Sequence, residues 1–249
     1  MATDRGRVRV AQGPKRVRAY LGGQLVADTV HPLLVWEVPY YPTYYFPRAD
    51  VRAILTPADR SVHSPSRGDG VLSTINVSGA EAVDAALEYP ESPIEELRGH
   101  VRIDFAAMDA WFEEDEQIFT HPRDPGVRVD ILPSSRHIRI EVDGVTVADS
   151  VRPHLLFETG LPTRYYLPRT DVRLDLLERT PTVTHCPYKG ATEYFSVRAG
   201  DVVHSDLAWS YPAPLPESIR VAGLIAFTDE KVDVYVDGEL QERPKTKFA

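Results

Sequence analysis

The chain has 249 residues, 43% hydrophobic and 26% charged, a composition able to build a core and unlike that of a disordered or fibrous chain. Its 28 Lys and Arg against 37 Asp and Glu leave a formal charge of -9, which opposes capture of nucleic acid, and no basic patch offsets it. No apolar run approaches the roughly 18–20 residues of a membrane span, and the start MATDRGRVRV lacks the apolar segment of a secretory signal; a cytoplasmic location with no membrane partner is expected.

In chain order, the first feature is a repeat. Residues 17–55 lie on residues 138–176 without a gap at an offset of 121, and 17 of the 39 positions are identical. The matches include Arg18 with Arg139, Gly23 with Gly144, Glu37 with Glu158, and Tyr44-Tyr45 with Tyr165-Tyr166. At an offset of 122 the register continues through His63 with His185, Gly68 with Gly190, Tyr89-Pro90 with Tyr211-Pro212, and Phe105 with Phe227. Each copy is long enough to be a domain, so two domains are expected, at 1–125 and 126–249, joined through the Pro- and Gly-containing run His121 to Gly126.

Local patterns favour strands. Gly22-Gly23 and Asp143-Gly144 are hairpin turns, the second between the alternating run Ile138 to Val142 and the returning Val145 to Val147. Val232 to Val236 alternates into Asp237-Gly238 in the same way. Helix is considered only at Ala80 to Glu88 and Asp104 to Phe112, and the latter aligns with the strand-like Val232 segment. Twenty-one prolines also suit sheets and loops. The expected class is mainly β, a tandem pair of small antiparallel domains with little helix.

Several segments of the second copy are similar to a known family. Glu158-Thr159-Gly160, Tyr165-Tyr166-Leu167-Pro168, Cys186-Pro187-Tyr188-Lys189-Gly190, Tyr194, Trp209 with Tyr211, and Ile225-Ala226-Phe227 before Lys231 to Val234 resemble domain of unknown function 427. The joint from Phe112 to Pro125 resembles that of two-copy members from actinobacteria. The resemblance implies a compact antiparallel β domain similar to β-tent folds, and no established activity. A nucleotidyltransferase-like label attached to the family finds no Gly-Ser run with paired metal-binding aspartates here. Some β-tent relatives hold zinc through paired Cys-x-x-Cys motifs; the single cysteine, Cys186, excludes that site, and no metal or cofactor is expected.

His185 to Gly190 is the densest chemistry in the chain. Cys186 beside a cation is a candidate nucleophile, and His185 or Glu158 a candidate general base. The plainer readings are a packed thiol, a solvated Lys189, an ion pair of Glu158 with Arg139 or Arg173, and a structural role shared by His63 and His185. Lys189 and Arg139 are candidate anion partners, and Tyr165, Tyr194, Trp209 and Tyr211 candidate walls, although neighbours such as Tyr165 and Tyr166 face opposite sides of a strand. The first copy has Ser64 for Cys186, Arg67 for Lys189, Leu72 for Tyr194 and Leu87 for Trp209, which assigns the pocket to the second copy and leaves the first as scaffold or lid. The expected function is binding of a small polar or anionic molecule there. Its rivals are a metal-independent enzyme acting on such a molecule, nucleotide-related ones included, and a protein–protein interaction module. The two copies are expected to form a pseudo-symmetric monomer.

Overall fold

The computed structural model describes residues 8–246 and divides into two units, residues up to 124 and residues from 125. Both are built from antiparallel sheets, with helix confined to short 3-10 turns, the longest being Pro216–Val221.

The first unit has a seven-stranded sheet in the order Arg9–Gln12, Leu33–Val38, Tyr41–Pro47, His100–Ile103, Ala80–Glu88, Gly68–Val77 and Ile54–Ser64. A second sheet runs Glu116–Ile118, Ala110–Glu113, Val17–Leu21 and Gln24–Thr29. A larger core joins Val17, Ala19 and Leu21 to Tyr44, Phe46 and Ile75. A smaller core holds Leu33, Val35, Tyr45, Leu87, Tyr89 and Leu97. The strand Tyr41–Pro47 serves both, because its side chains alternate between faces.

The second unit repeats this scheme. Val145–Ser150, Ile138–Val142, Asp233–Val236 and Glu239–Leu240 form one sheet. The counterpart of the seven-stranded sheet is divided: Val129–Pro133, His154–Glu158 and Arg164–Tyr166 form one part, and Leu177–Arg179, Glu193–Ala199, Val202–Ser210 and Ile225–Phe227 another. A bridge from Leu167 to Ile225 links the two parts. The larger core gathers Ile138, Ile140, Leu167, Val197 and Phe227; the smaller one gathers Ile131, Leu156, Tyr166, Tyr211, Val221 and Ala226.

The copies also share local irregularities. A register shift falls between Ala19 and Tyr20 in one and between Ile140 and Glu141, the equivalent pair, in the other. Thr29 donates to Asp50 at 2.6 Å, and Ser150 donates to Asp171 at 2.7 Å. The Arg152 guanidinium, with Ser150 and Thr170, then holds the Asp171 carboxyl well below the usual carboxylate range.

The segment Ala80 to Glu88, considered above for helix, is a strand. It pairs on one edge with Gly68–Val77 and on the other with His100–Ile103. Its four alanines favour helix in isolation, but a place in the middle of a sheet satisfies both rows of backbone groups and overrides that preference. Asp104 to Phe112 holds only the turn Phe105–Ala107 before the strand Ala110–Glu113.

The hairpin after Ile138–Val142 turns through Asp143 at φ 49° and Gly144 at φ 77°, the left-handed pair of a type I′ turn. No neighbouring atom would meet a Cβ at Gly144, so a side chain there is opposed by backbone conformation alone. Gly144→Val should therefore destabilise the protein by about 1–2 kcal/mol, and Gly144→Asn by clearly less, as read from urea unfolding midpoints.

Candidate functional site

The strand His154–Glu158 ends on Glu158, and the two-stranded ribbon His185–Cys186 with Gly190–Ala191 carries Lys189 in its turn. Gly190 closes that turn at φ 96°, a conformation that side-chain-bearing residues rarely adopt. The Lys189 carbonyl accepts from Leu215 N at 3.1 Å, and the Tyr188 carbonyl accepts from Ser218 Oγ at 3.0 Å, so the ribbon is anchored to the turn Pro216–Val221 and the residue that precedes it. Thus held, Lys189 is directed inward. It is 8% exposed, and its Nζ donates to Glu158 Oε2 at 2.5 Å. Burial pulls the Lys189 ammonium down, but the nearby Cys186 sulfur and the hydrogen-bonded Glu158 carboxylate together hold it above its usual range.

Aromatic side chains enclose this pair. Tyr166 and Tyr211 lie in the smaller core with ring centroids 6.4 Å apart, and burial raises both phenols above their usual value. Trp209 packs against that core and donates from Nε1 to Tyr166 Oη at 3.3 Å. Tyr194 tilts against Trp209 at 6.5 Å and shares a 3.1 Å hydrogen bond with Thr184. Glu158, Cys186, Lys189, Tyr194, Trp209 and Tyr211, remote in sequence, thus come together.

The structure places other candidates elsewhere. Arg139 lies on the strand Ile138–Val142 of a different sheet, where it pairs with Glu141 and sits 4.0 Å from the Tyr235 ring centroid. It does not join Lys189 as a second cation for a bound anion. Arg173 pairs with Asp175, so neither arginine expected to neutralise Glu158 does so; the buried Lys189 does, in place of the solvated lysine expected above. Tyr165 packs against the larger core, and its neighbour Tyr166 takes the position inside the cluster. His185 is exposed, whereas Cys186 is half-buried against the smaller core.

The first unit contains the corresponding arrangement with different residues. Glu37 accepts from Tyr45 Oη and lies 3.9 Å from Arg67 and 3.6 Å from Arg102. Arg67 also stands 5.4 Å from the Tyr89 ring centroid. The exchange of Lys189 for Arg67 therefore preserves a buried acid–base pair flanked by two tyrosines. What distinguishes the second cluster is Cys186, Tyr194 and Trp209, replaced by Ser64, Leu72 and Leu87 in the first.

Sequence reasoning overlooked Arg164 and Asp229. Arg164 stands 5.9 Å from the Trp209 ring centroid and gives its guanidinium to Glu230 in a two-pronged pair, one arm at 2.9 Å. Asp229, in the turn between Ile225–Phe227 and Asp233–Val236, is 4% exposed. Its burial outweighs the nearby Arg164 charge and pushes the carboxyl up to about 7. The only sequence signal was comparative: the first copy carries Thr43, Ala107 and Met108 where the second has Arg164, Asp229 and Glu230. Among the described residues, no group of three or more His, Cys, Asp and Glu is placed to hold a metal ion.

The family model described as Domain of unknown function (DUF427) matches residues 9–114 and again residues 130–238. The chain belongs to this family and contains two copies of its domain. No curated protein matches the chain.

Two outcomes test these electrostatics. Lys189→Met strands the Glu158 carboxylate in the interior and should cost about 3–5 kcal/mol, whereas Glu158→Gln combined with Lys189→Met should recover most of that loss. Hydrogen exchange of second-unit peptides in the full chain, measured across a urea series, reads both. For Asp229 the folded value of about 7 exceeds the unfolded value of about 3.9, so the folded form holds its proton more tightly. Its contribution to stability is therefore greatest below pH 4 and declines as pH rises to 7. The stability difference between wild type and Asp229→Asn should follow that decline and level off above it, as read from urea unfolding at a series of pH values.

Proposed function

We propose that this two-copy family member binds a small polar molecule at the cluster of its second unit, with Lys189 and Glu158 as its charged floor and Tyr194, Trp209 and Cys186 as its specific rim. One observation carries the reading: of the residues that distinguish the second copy, Cys186 lies near Lys189 of the acid–base pair that both copies keep, Trp209 packs on the smaller core, and Tyr194 packs on Trp209. The pair belongs to the shared fold, and the rim is the addition. Polar-tipped aromatics around a few fixed charges are the usual lining of a small-molecule site. Because Glu158 neutralises Lys189 and Arg139 lies elsewhere, the floor offers one donor and one acceptor rather than a net positive charge. A neutral polar or zwitterionic molecule suits it better than a simple anion.

The contact between Lys189 and Cys186 favours a second reading, in which the bound molecule is also turned over. The Cys186 sulfur is the nucleophilic atom of that reading, with Glu158 on the same lysine.

The decisive variant gives the second unit the rim of the first: Cys186→Ser, Tyr194→Leu and Trp209→Leu together, a combination that the first unit shows to be compatible with the fold. In a thermal-shift screen against neutral and zwitterionic metabolites, a ligand at 100 times its Kd should stabilise the wild type by about 2.7 kcal/mol and leave the variant unmoved. Equal shifts in both proteins, or none in either, would overturn the reading. For a compound that does shift the wild type, turnover lost in Cys186→Ser with binding kept would identify the enzyme.

A further inference from the structure

The charge balance at the smaller core differs between the units. Across the seven-stranded sheet of the first unit, Leu33, Tyr45, Arg102, Leu87 and Leu72 are successive register partners, so their side chains share one face, that of the smaller core. Arg102 is thereby brought to Glu37, which Arg67 meets from the turn before Gly68. At the offset that pairs Phe105 with Phe227, the second copy has Leu224 in place of Arg102, packed on its own smaller core. The second unit thus sets one cation, Lys189, against Glu158, whereas the first sets two against Glu37.

Glu37 does not satisfy both arginines. Its oxygens lie 3.9 Å from Arg67 Nε and 3.6 Å from Arg102 Nε, beyond hydrogen-bond distance, and neither Nε, both buried, has an acceptor. The terminal guanidinium nitrogens are not closed off in this way: the two side chains are 16% and 33% exposed, and only Nε of each is both buried and without a partner. One positive charge is therefore left over where water still reaches. On the same sheet Arg48 is answered by Glu88 at 3.7 Å, so the surplus is particular to Arg67 and Arg102. Leu72 and Leu87, which stand where the second unit has Tyr194 and Trp209, make the surroundings apolar together with Val62 and Ile94.

We propose that the first unit binds the carboxylate end of a small organic acid at Arg67 and Arg102, with its hydrocarbon part against Leu72, Leu87 and Val62. Planar guanidiniums match the two oxygens of a carboxylate, and the surplus cation repels an ammonium end. Glu37 and its first cation belong to the shared fold, and Arg102 is the addition that makes the site. It is independent of the Cys186 cluster and stands whether or not that cluster binds a ligand.

The test is calorimetric titration of the full chain at pH 7 and low ionic strength with butyrate and, as its uncharged counterpart, n-butanol. Butyrate should bind the wild type with a Kd below about 10 mM, and butanol at least about tenfold more weakly. Arg102→Leu, which installs the residue of the second unit, should lose about tenfold or more in butyrate affinity. Arg102→Gln should behave alike and guards against misfolding of a single variant. The triple variant Cys186→Ser, Tyr194→Leu and Trp209→Leu should bind butyrate as the wild type does, which separates this site from the other. Absence of butyrate binding to the wild type, equal binding of butanol, full affinity in both folded Arg102 variants, or loss of binding in the triple variant would overturn the proposal.

Discussion

Adjacent residues of a strand cannot share a face, and the paired tyrosines of each copy turn that constraint into architecture. Tyr44 and Tyr165 face the larger core of their unit, and Tyr45 and Tyr166 the smaller one. Each smaller core is where the buried acid–base pair lies: Glu37 with Arg67 in the first unit, Glu158 with Lys189 in the second. A one-residue slip of this strand would exchange the two phenols and break the hydrogen bonds from Tyr45 to Glu37 and from Trp209 to Tyr166 together. Register and site are thus one constraint.

The buried charges obey a common rule with one departure. A carboxylate removed from water needs a cation and donors, and in both copies the strand carrying the glutamate is met by a turn that directs Arg67 or Lys189 inward. Gly68 and Gly190 stand at the same step of those turns, both with positive φ. Asp229 departs from the rule in part: Arg164 Nη1 lies 3.2 Å from its Oδ2, but the aligned N–H groups of that guanidinium go to Glu230.

Duplication makes the molecule its own control. Features present in both copies, such as the register shift in the first hairpin, the hydroxyl-to-aspartate bond and the tyrosine-flanked ion pair, belong to the fold. Features in one copy are free to carry function: Cys186, Tyr194 and Trp209 at the smaller core, and Arg164, Asp229 and Glu230, with Arg164 near the Trp209 ring. Comparison at the level of residue type misassigned one position, because an Arg for Lys exchange looks like a loss in sequence while preserving the charge and its partner in space.

The sequence by itself determined the two copies, their antiparallel β character and their positive-φ turns, since these depend on neighbours a few residues apart: alternation along a strand, and a Gly or Asp-Gly step that tolerates left-handed backbone. It also singled out Glu158, Lys189, Cys186, Tyr194, Trp209 and Tyr211 as the chemistry-bearing residues of the second copy. Only the tertiary structure decided how those residues meet. Arg139 repeats as faithfully as Glu158 yet belongs to another sheet; Tyr165 and Tyr166 are indistinguishable until the faces are assigned; the alanine-rich segment Ala80 to Glu88 becomes a strand because two neighbours require its backbone groups. Asp229 shows why: whether a carboxylate is solvated, paired or left wanting a donor depends on what lies across space from it, and strand pairing over long separations sets that.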